Sequence, residues 1–173
     1  MSEKAIYLID TMSQVYRAFF AIRGLSAADN FPTNALFGVV TMLQKIVKTH
    51  HPEFLVAVTD TAEPTHRHEA YAAYKATRKP MPDELSVQMP FVYELLSAHG
   101  VPVLALPGYE ADDIIAALAL RARAEGFKVY ILSSDKDLYQ LVGEDVSLLD
   151  TKSDIVYDPA QVTSKLGVRP DQV

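Results

Sequence analysis

The composition of this 173-residue chain is that of a globular protein with an acidic balance, since 22 Asp and Glu side chains face 16 Lys and Arg and the formal net charge is -6. A hydrophobic content of 49% excludes a disordered chain, and the absence of cysteine excludes disulfides, thiolate metal sites and cysteine nucleophiles. The length predicts one domain. Because neither a signal peptide nor an apolar run of membrane-spanning length is present, we expect a cytoplasmic protein. The acidic balance argues mildly against nucleic-acid binding.

Short apolar runs alternate with helical patterns along the chain. In chain order, the runs predict strands at 5–9, 54–58, 101–106, 128–132, 146–149 and 155–157. The helical patterns predict helices at 15–22, 36–47, 85–98, 110–124, 137–142 and 159–167. This alternation predicts an α/β fold with a mostly parallel central sheet and helices on both faces. The strands are continuously apolar, as is typical of strands covered on both sides.

Carboxylates follow four of the predicted strands. In chain order they are Asp10, then Asp60, then Glu110, Asp112 and Asp113, then Asp135 and Asp137. A single Asp after a strand is more often a helix cap or a turn residue. Seven acids at the same edge of a sheet, however, would repel one another, and a divalent cation would relieve that repulsion. Ligation by oxygen alone favours Mg²⁺ or Mn²⁺, and the lack of a Cys/His pattern argues against zinc.

Acids that hold two divalent cations are typical of phosphodiester hydrolysis, in which the metals activate water and stabilise the leaving oxygen. The chain lacks a Walker loop, which argues against an NTPase. It also lacks a Gly-x-Gly-x-x-Gly turn after the first strand, which argues against a dinucleotide site. The acidic edge therefore predicts metal-dependent phosphoryl chemistry.

The segment 64–82 breaks the α/β pattern and is basic. Its charged side chains are Arg67, Lys75, Arg78 and Lys79 against Glu69, which gives a formal charge of +3. Helical spacing would place Arg67, Tyr71, Tyr74, Lys75 and Arg78 near one face. Cations interleaved with aromatic rings favour binding of single-stranded nucleic acid, and the alternative is a solvated amphipathic loop.

Taken in order, these residues resemble the 5′-nuclease domain at the N-terminus of bacterial DNA polymerase I, and flap endonucleases more widely. The resemblance covers nearly all of the chain. Its most specific part is Glu110-Ala111-Asp112-Asp113 followed by Asp135-Lys136-Asp137. The other matching segments are Leu8-Ile9-Asp10, Tyr16-Arg17-Ala18, Pro32-Thr33-Asn34-Ala35, Thr65-x-Arg67-His68-Glu69, Tyr74-Lys75-x-x-Arg78 and Pro80-Met81-Pro82.

The resemblance implies a PIN-like fold with a helical arch, over about 61–83, above the active site. It implies Mg²⁺- or Mn²⁺-dependent hydrolysis of DNA at 5′ flaps, nicks and branched ends by two-metal catalysis. The implied metal-site residues are Asp10, Asp60, Glu110, Asp112, Asp113, Asp135 and Asp137. Catalytic roles are implied for Lys75, Arg78, Asp112 and Asp135. DNA contacts are implied for Arg17, Arg67, Tyr74, Lys75, Arg78 and Lys79. The same resemblance implies a monomer in the cytoplasm, associated with the nucleoid, and a polymerase domain in the same chain as one arrangement.

The chain departs from the family pattern at several turns. His66 replaces a usual Phe, and Thr59 and Thr61 flank Asp60 where Phe and Ala are usual. Ser134 replaces a Gly that commonly precedes the Asp-Lys-Asp motif, and we expect it to alter a backbone angle that Gly tolerates better. None of these changes removes a carboxylate.

The end of the chain bears on how much activity to expect. We assign 1–167 to the nuclease domain and 168–173 to the start of a helix–hairpin–helix, which in the family is preceded by a Gly-Asp-x-x-Asp motif that completes the second metal site. We therefore expect a fragment that holds one metal well and a second weakly, and that cleaves poorly.

Two other functions compete with a nuclease. One is a DNA-binding module of the same fold without catalysis. The other is a phospho-accepting receiver domain, which is a shorter class that places its acidic pair early and has no basic arch. The charge balance does not separate them. Without the seven strand-end acids, 15 of the 22 acids remain against 16 bases, so the acidic surplus belongs to one edge of the sheet.

Overall fold

A six-stranded sheet forms the centre of the protein in the computed structural model, which describes residues 4–71, 73–77 and 79–173. The strands are β1 (Ala5–Asp10), β2 (Phe54–Val58), β3 (Val103–Leu104), β4 (Lys128–Leu132), β5 (Val146–Asp150) and β6 (Ile155–Tyr157). Their order across the sheet is β3-β2-β1-β4-β5-β6. The first five strands are parallel, and β6 runs antiparallel to β5. The predicted mostly parallel sheet is confirmed.

Helices cover both faces of this sheet. They are α1 (Thr11–Ala21), α2 (Asn34–His50), α3 (His66–Ala70), α4 (Asp83–Ser86), α5 (Met89–Ala98), α6 (Ala111–Ala124) and α7 (Pro159–Leu166), with short 3₁₀ segments at Asp137–Leu141 and Pro170–Gln172. Successive side chains of a strand point to opposite faces, so Ile9 packs with α1, α2 and α5 while Leu8 packs with α6 and α7. The α/β class with helices on both faces is thus confirmed. No helix in the described ranges is long and apolar enough to cross a membrane.

Three element boundaries differ from the sequence prediction for identifiable reasons. Helix α1 begins at Thr11, earlier than predicted, because the Asp10 side chain caps it by accepting the Ser13 N–H at 3.1 Å. The predicted helix 85–98 is divided into α4 and α5, since Pro90 has no N–H to donate to the Ser86 carbonyl. The predicted strand 101–106 is reduced to Val103–Leu104, because this edge strand pairs only with β2 and begins after Pro102.

The arch segment also differs from its predicted form. The expected run of cations and tyrosines on one continuous helix is wrong for the described residues, where α3 ends at Ala70 and turns follow over 73–77. Lys75 has a φ of 53°, a left-handed conformation that an α-helix does not contain. Arg78, predicted to share this face, lies outside the described residues. Arg67 therefore lies on α3 and Lys75 on a following turn, so these two cations do not share one helical face.

Helices α1 and α2 approach each other closely at one glycine. Gly38 of α2 lies against Ala18 of α1, and a Cβ added at Gly38 would overlap the Ala18 Cβ. The gain in helix propensity from Ala is at most about 1 kcal/mol, so the overlap should dominate.

We expect Gly38→Ala to lower the free energy of unfolding by about 1–3 kcal/mol, because α1 and α2 must move apart. Urea denaturation measures this change. Gly143→Ala is the matched control, since an added Cβ at Gly143 meets no atom within 4 Å. Equal losses in both variants would contradict the close-packing explanation.

Candidate active site

A cavity of about 600 Å³ opens at the carboxyl ends of the parallel strands. It lies where β1 and β4 are neighbours and the chain crosses to opposite faces of the sheet, which is the usual ligand position in open α/β folds. Acids from four separate places in the sequence line it: Asp10, Asp60, Glu110, Asp112 and Asp135. Arg17, Lys75 and Lys136 line it as well. The fold thus brings five of the seven predicted carboxylates together.

Asp10 is the most buried of these acids, with 5% of its surface exposed. Its Oδ1 accepts the Ser13 N–H at 3.1 Å, and its Oδ2 accepts the Ser133 hydroxyl at 2.6 Å. Burial raises the pKa of Asp10, the two hydrogen bonds oppose that rise, and the charges of Asp135 and Asp60 add to it, so the net direction is upward. The two hydrogen bonds therefore hold the carboxylate in place, while burial and the neighbouring negative charges disfavour its ionised form.

Backbone donors orient two further acids. The Asp60 Oδ1 accepts the Ala111 N–H at 2.7 Å, at the N-terminus of α6. The Asp135 Oδ1 accepts the Asp137 N–H at 3.0 Å, and the Asp135 N–H donates to the Ser133 hydroxyl at 2.9 Å. Each carboxylate keeps unused lone pairs, since these bonds occupy only one position on one oxygen.

Asp112, in the first turn of α6, has a strongly raised pKa. Burial raises its pKa to about 7, and the charges of Asp10, Asp135 and Asp60 contribute in the same direction. The hydrogen bonds found among the described residues do not include its carboxylate. A group of like charges in a partly buried cavity is the environment that a divalent cation stabilises.

The donor set fits a hard cation, although the side chains do not already form a tight ligand cluster. All the acids that line the cavity offer oxygen ligands, which suit Mg²⁺ or Mn²⁺. Within residues 4–71, 73–77 and 79–173, no three carboxylate or imidazole side chains converge closely enough to hold a metal ion as they stand. Cation binding would therefore draw these acids closer together.

Glu110 differs from the other cavity acids because the arch neutralises it. Its Oε1 accepts the Lys75 ammonium at 2.8 Å, and its Oε2 accepts the Tyr74 hydroxyl at 3.1 Å. Burial alone would raise the pKa of Glu110, but Lys75, Tyr74 and Arg67 outweigh it and leave the pKa below its ordinary value. Glu110 is thus an anchor for the arch as well as a wall of the cavity.

Asp113 and Asp137, both predicted metal-site residues, lie apart from the main cavity. They line a second cavity of about 280 Å³, on the other side of Glu110 and Asp112. Asp113 forms a paired ion contact with Arg67, whose two terminal nitrogens each donate at 2.6 Å, and this contact lowers the pKa of Asp113. Its oxygens are committed to a guanidinium, which the sequence did not indicate. Metal roles for these two residues stay predictions.

The predicted DNA-binding residues are found in three settings. Arg17 lines the main cavity, with Nη1 donating to Asp150 at 3.0 Å and Nη2 to Gln14 at 2.6 Å and to Thr151. Arg67, Tyr74 and Lys75 contact the acids of α6 and its cap, as described above. Lys79 is exposed, and Arg78 is not among the described residues. The structure therefore brings Arg17 and Lys75 to the cavity and leaves their contact with DNA a prediction.

Sequence reasoning overlooked the serines around Asp10. Ser133 is fully buried, and Ser13 accepts the Ser134 N–H at 3.0 Å while their hydroxyls lie 2.7 Å apart. The available signal was position, since Ser133 follows β4 just as Asp10 ends β1. Ser134 does not adopt the positive φ that would favour Gly, and the expected backbone change relative to a family member with Gly stays a prediction. The cavity wall also includes the rings of Tyr16 and Phe20, which the sequence did not place there.

Comparison with known sequences points to one family. The profile of the family described as 5′-3′ exonuclease, N-terminal resolvase-like domain matches residues 5–167. The chain is 46% identical over 170 residues to the 5′-3′ exonuclease of Aquifex aeolicus, with 98% of this chain and 59% of that protein covered. It is 42% identical over 175 residues to DNA polymerase I of Bacillus caldotenax, with 99% of this chain and 20% of that protein covered. The chain therefore spans about three fifths of one relative and one fifth of the other.

Solved structures share the fold at low sequence identity. A T5 5′-exonuclease with bound divalent zinc ions has a TM-score of 0.74 at 19% identity, with 98% of this chain and 64% of that chain covered. The catalytic core of Rad2 in complex with DNA substrate has a TM-score of 0.57 at 18% identity, covering 98% of this chain and 52% of that chain. These likenesses establish the fold of the sheet and its helices.

The raised pKa of Asp112 predicts a pH-dependent stability. The folded protein keeps a proton that the unfolded chain releases between the ordinary pKa of 3.8 and about 7, so the free energy of unfolding contributed by this group falls as pH rises through that window. In the absence of divalent cations we expect Asp112→Asn to stabilise the protein by more than about 1 kcal/mol at pH 8 and to be nearly neutral at pH 4.

Urea denaturation of wild type and variant in EDTA at the two pH values measures this difference. Glu53→Gln, which removes an exposed carboxylate outside the cavity, should change stability by less than about 0.5 kcal/mol at both. A stabilisation of equal size at pH 4 and pH 8 would show that charge is not its cause.

Proposed function

The chain belongs to the family of 5′-3′ exonuclease N-terminal, resolvase-like domains, and from this premise we propose that it hydrolyses DNA phosphodiesters at 5′ ends and flaps with divalent cations. The observation that carries the proposal is the cavity at the junction of β1 and β4. There Asp10, Asp60, Asp112 and Asp135 share one space, and the pKa of Asp112 is raised to about 7. Repulsion among so many acids opposes folding unless a bound ligand neutralises their charge, and a divalent cation is the ligand that would do so.

We propose Mg²⁺ or Mn²⁺ as that ligand, held first by Asp10, Asp60, Asp112 and Asp135. A bound cation of this kind lowers the pKa of water and stabilises the leaving oxygen of a phosphodiester. A second and weaker cation site is proposed near Asp135 and Asp137, because Asp137 lies outside the cavity that Asp10, Asp60, Asp112 and Asp135 line. The T5 5′-exonuclease of the same fold was solved with divalent ions, which supports this class of cofactor.

The cations on the cavity wall are proposed to place the DNA backbone. Lys75 lines the cavity and donates to Glu110, and its ammonium is close enough to Asp112 to lower that pKa. We propose that it positions the scissile phosphate and stabilises its developing charge, together with Arg78. Arg17 is held rigidly by Asp150 and Gln14 and presents a fixed positive charge to the same space. Arg67, Tyr74 and Lys79 are proposed to guide the strand along the arch.

The biological setting is part of the same proposal. The Bacillus caldotenax relative is a DNA polymerase I of which this chain matches one fifth, which supports a polymerase in the same chain as one arrangement. We propose that the chain acts as a monomer on one DNA end. We propose 1–167 as the nuclease domain, in agreement with the family match to 5–167.

A non-catalytic DNA-binding module is the second candidate. It is favoured by two observations on the described residues: no ready-made three-ligand cluster is present, and Lys75 and Arg67 are paired with Glu110 and Asp113. Both candidates predict binding to a flap substrate, and only the nuclease predicts a cleaved product.

We expect the chain to cleave a DNA duplex that carries a labelled 5′ flap in Mg²⁺ or Mn²⁺, and EDTA to abolish cleavage. Asp112→Asn should lower the rate by more than about 100-fold, because one charge of the cation site is lost. Gel analysis of the labelled product measures the rate, with Glu53→Gln as a control that keeps wild-type activity. Wild-type protein that binds the flap but yields no product in either metal would favour the non-catalytic module.

We expect Lys75→Ala to lower kcat on the same substrate by about 10²–10³, because a cation beside the transferring phosphoryl group acts mostly in the transition state. Its Mn²⁺ affinity should stay within about threefold of wild type or increase, since removal of a positive charge does not weaken cation binding. Single-turnover kinetics and Mn²⁺ titration separate the two effects. Lys48→Ala, an exposed lysine of α2, is the control. A collapse of Mn²⁺ affinity in Lys75→Ala would contradict the assignment.

A further inference from the structure

Ser133 occupies the point where the two central strands end. Strands β1 and β4 are in parallel register with Ile9 opposite Leu132, so Asp10 and Ser133 are the next residues at the same level. Ser133 has no exposed surface, and Asp10 has 5%. Burying a hydroxyl in such a place costs free energy unless it is hydrogen-bonded.

The Ser133 hydroxyl joins two of the cavity acids. The Asp135 N–H donates to its Oγ at 2.9 Å, and a backbone N–H has no other role than donor. The single proton of the hydroxyl is therefore directed to Asp10 Oδ2, 2.6 Å away. One side chain thus orients the carboxylate of β1 and fixes the start of the loop that carries Asp135 after β4.

The effect on Asp10 is a defined presentation of both oxygens. The Ser13 N–H binds Oδ1 and the Ser133 hydroxyl binds Oδ2, so each oxygen has one fixed donor and keeps a lone pair. Without the Ser133 hydroxyl, Oδ2 would lose its donor in a buried site, and the carboxylate would gain rotational freedom. Donors of this kind behind a metal-binding carboxylate set its orientation and affinity.

We propose that Ser133 is a positioning residue of the cation site, which holds Asp10 and Asp135 in the mutual orientation that binds one divalent cation. The proposal rests on the proposed cation-dependent function and adds to it a residue that does not itself touch the cation. The cation site requires a hydroxyl at position 133, and a side chain of similar size without a hydroxyl is not sufficient.

The test is direct Mn²⁺ binding, followed by the electron paramagnetic resonance signal of free Mn²⁺ in the absence of DNA. Ser133→Ala should weaken Mn²⁺ binding by about 10–100-fold, the range found for loss of a partner behind a metal ligand. Ser133→Thr keeps the hydroxyl and should stay within about threefold of wild type. Ser153→Ala is the matched control, because it removes a serine hydroxyl that donates to the partly buried Asp150 carboxylate at 2.8 Å, outside the cavity, and it should leave Mn²⁺ affinity unchanged.

The outcomes separate this inference from the function on which it rests. Ser133→Ala that is folded by circular dichroism and binds Mn²⁺ as wild type does would overturn the positioning role. Wild-type protein without measurable Mn²⁺ binding would instead overturn the cation site itself. If Ser133→Ala does not fold, Ser133→Cys substitutes a weak donor of similar size, and a hard cation such as Mn²⁺ does not favour its sulfur. An unchanged affinity in Ser133→Cys would equally overturn the proposal.

Discussion

Repulsion among carboxylates at the junction of β1 and β4 is the constraint around which the cavity is arranged. Asp10, Asp60, Asp112 and Asp135 come from four different strand ends and meet because parallel strands bring their carboxyl ends to one edge. The fold tolerates their charges by giving three of them fixed donors. These donors are the N–H groups of Ser13, Ala111 and Asp137 and the Ser133 hydroxyl. Asp112 receives no such help from the described residues, and its pKa rises accordingly.

The arch divides the acids of this region into two groups. Glu110 and Asp113 are paired with Lys75 and Arg67, and the pKa values of both acids lie below their ordinary values. Among the described residues, the acids deeper in the cavity form no ion pair of this kind, although the charge of Lys75 partly lowers the pKa of Asp112. The pKa values of Asp10 and Asp112 lie above their ordinary values. The same chain thus holds neutralised acids that anchor a basic segment beside acids whose burial and mutual repulsion raise their pKa values. Under the proposed function, a DNA backbone would meet positive charge at the rim of this edge and the carboxylates beneath it.

Net charge gives little information about such a protein. A formal charge of -6 would argue against nucleic-acid binding only if the charge were spread evenly over the surface. The structure shows that acids are concentrated at one edge of the sheet and that bases lie next to them. The position of the charges along the chain and in the fold, rather than their sum, is the quantity that bears on function.

Local patterns in the chain were enough to predict the α/β class, the order of the main elements and the strand-end acids, because apolar runs and helical spacing depend only on nearby residues. The sequence also indicated the family, through the spacing of Glu110, Asp112, Asp135 and Asp137. Which of the acids share a cavity depends instead on how the distant segments pack together. Asp112 and Asp113 are adjacent in sequence, yet one lines the main cavity and the other pairs with Arg67 on the far side, since neighbouring helical residues point about 100° apart. The contact of Ser133 with Asp10 could not be predicted either, because it joins segments that are distant in sequence. The left-handed conformation of Lys75 could not be predicted because no local pattern encodes that backbone angle.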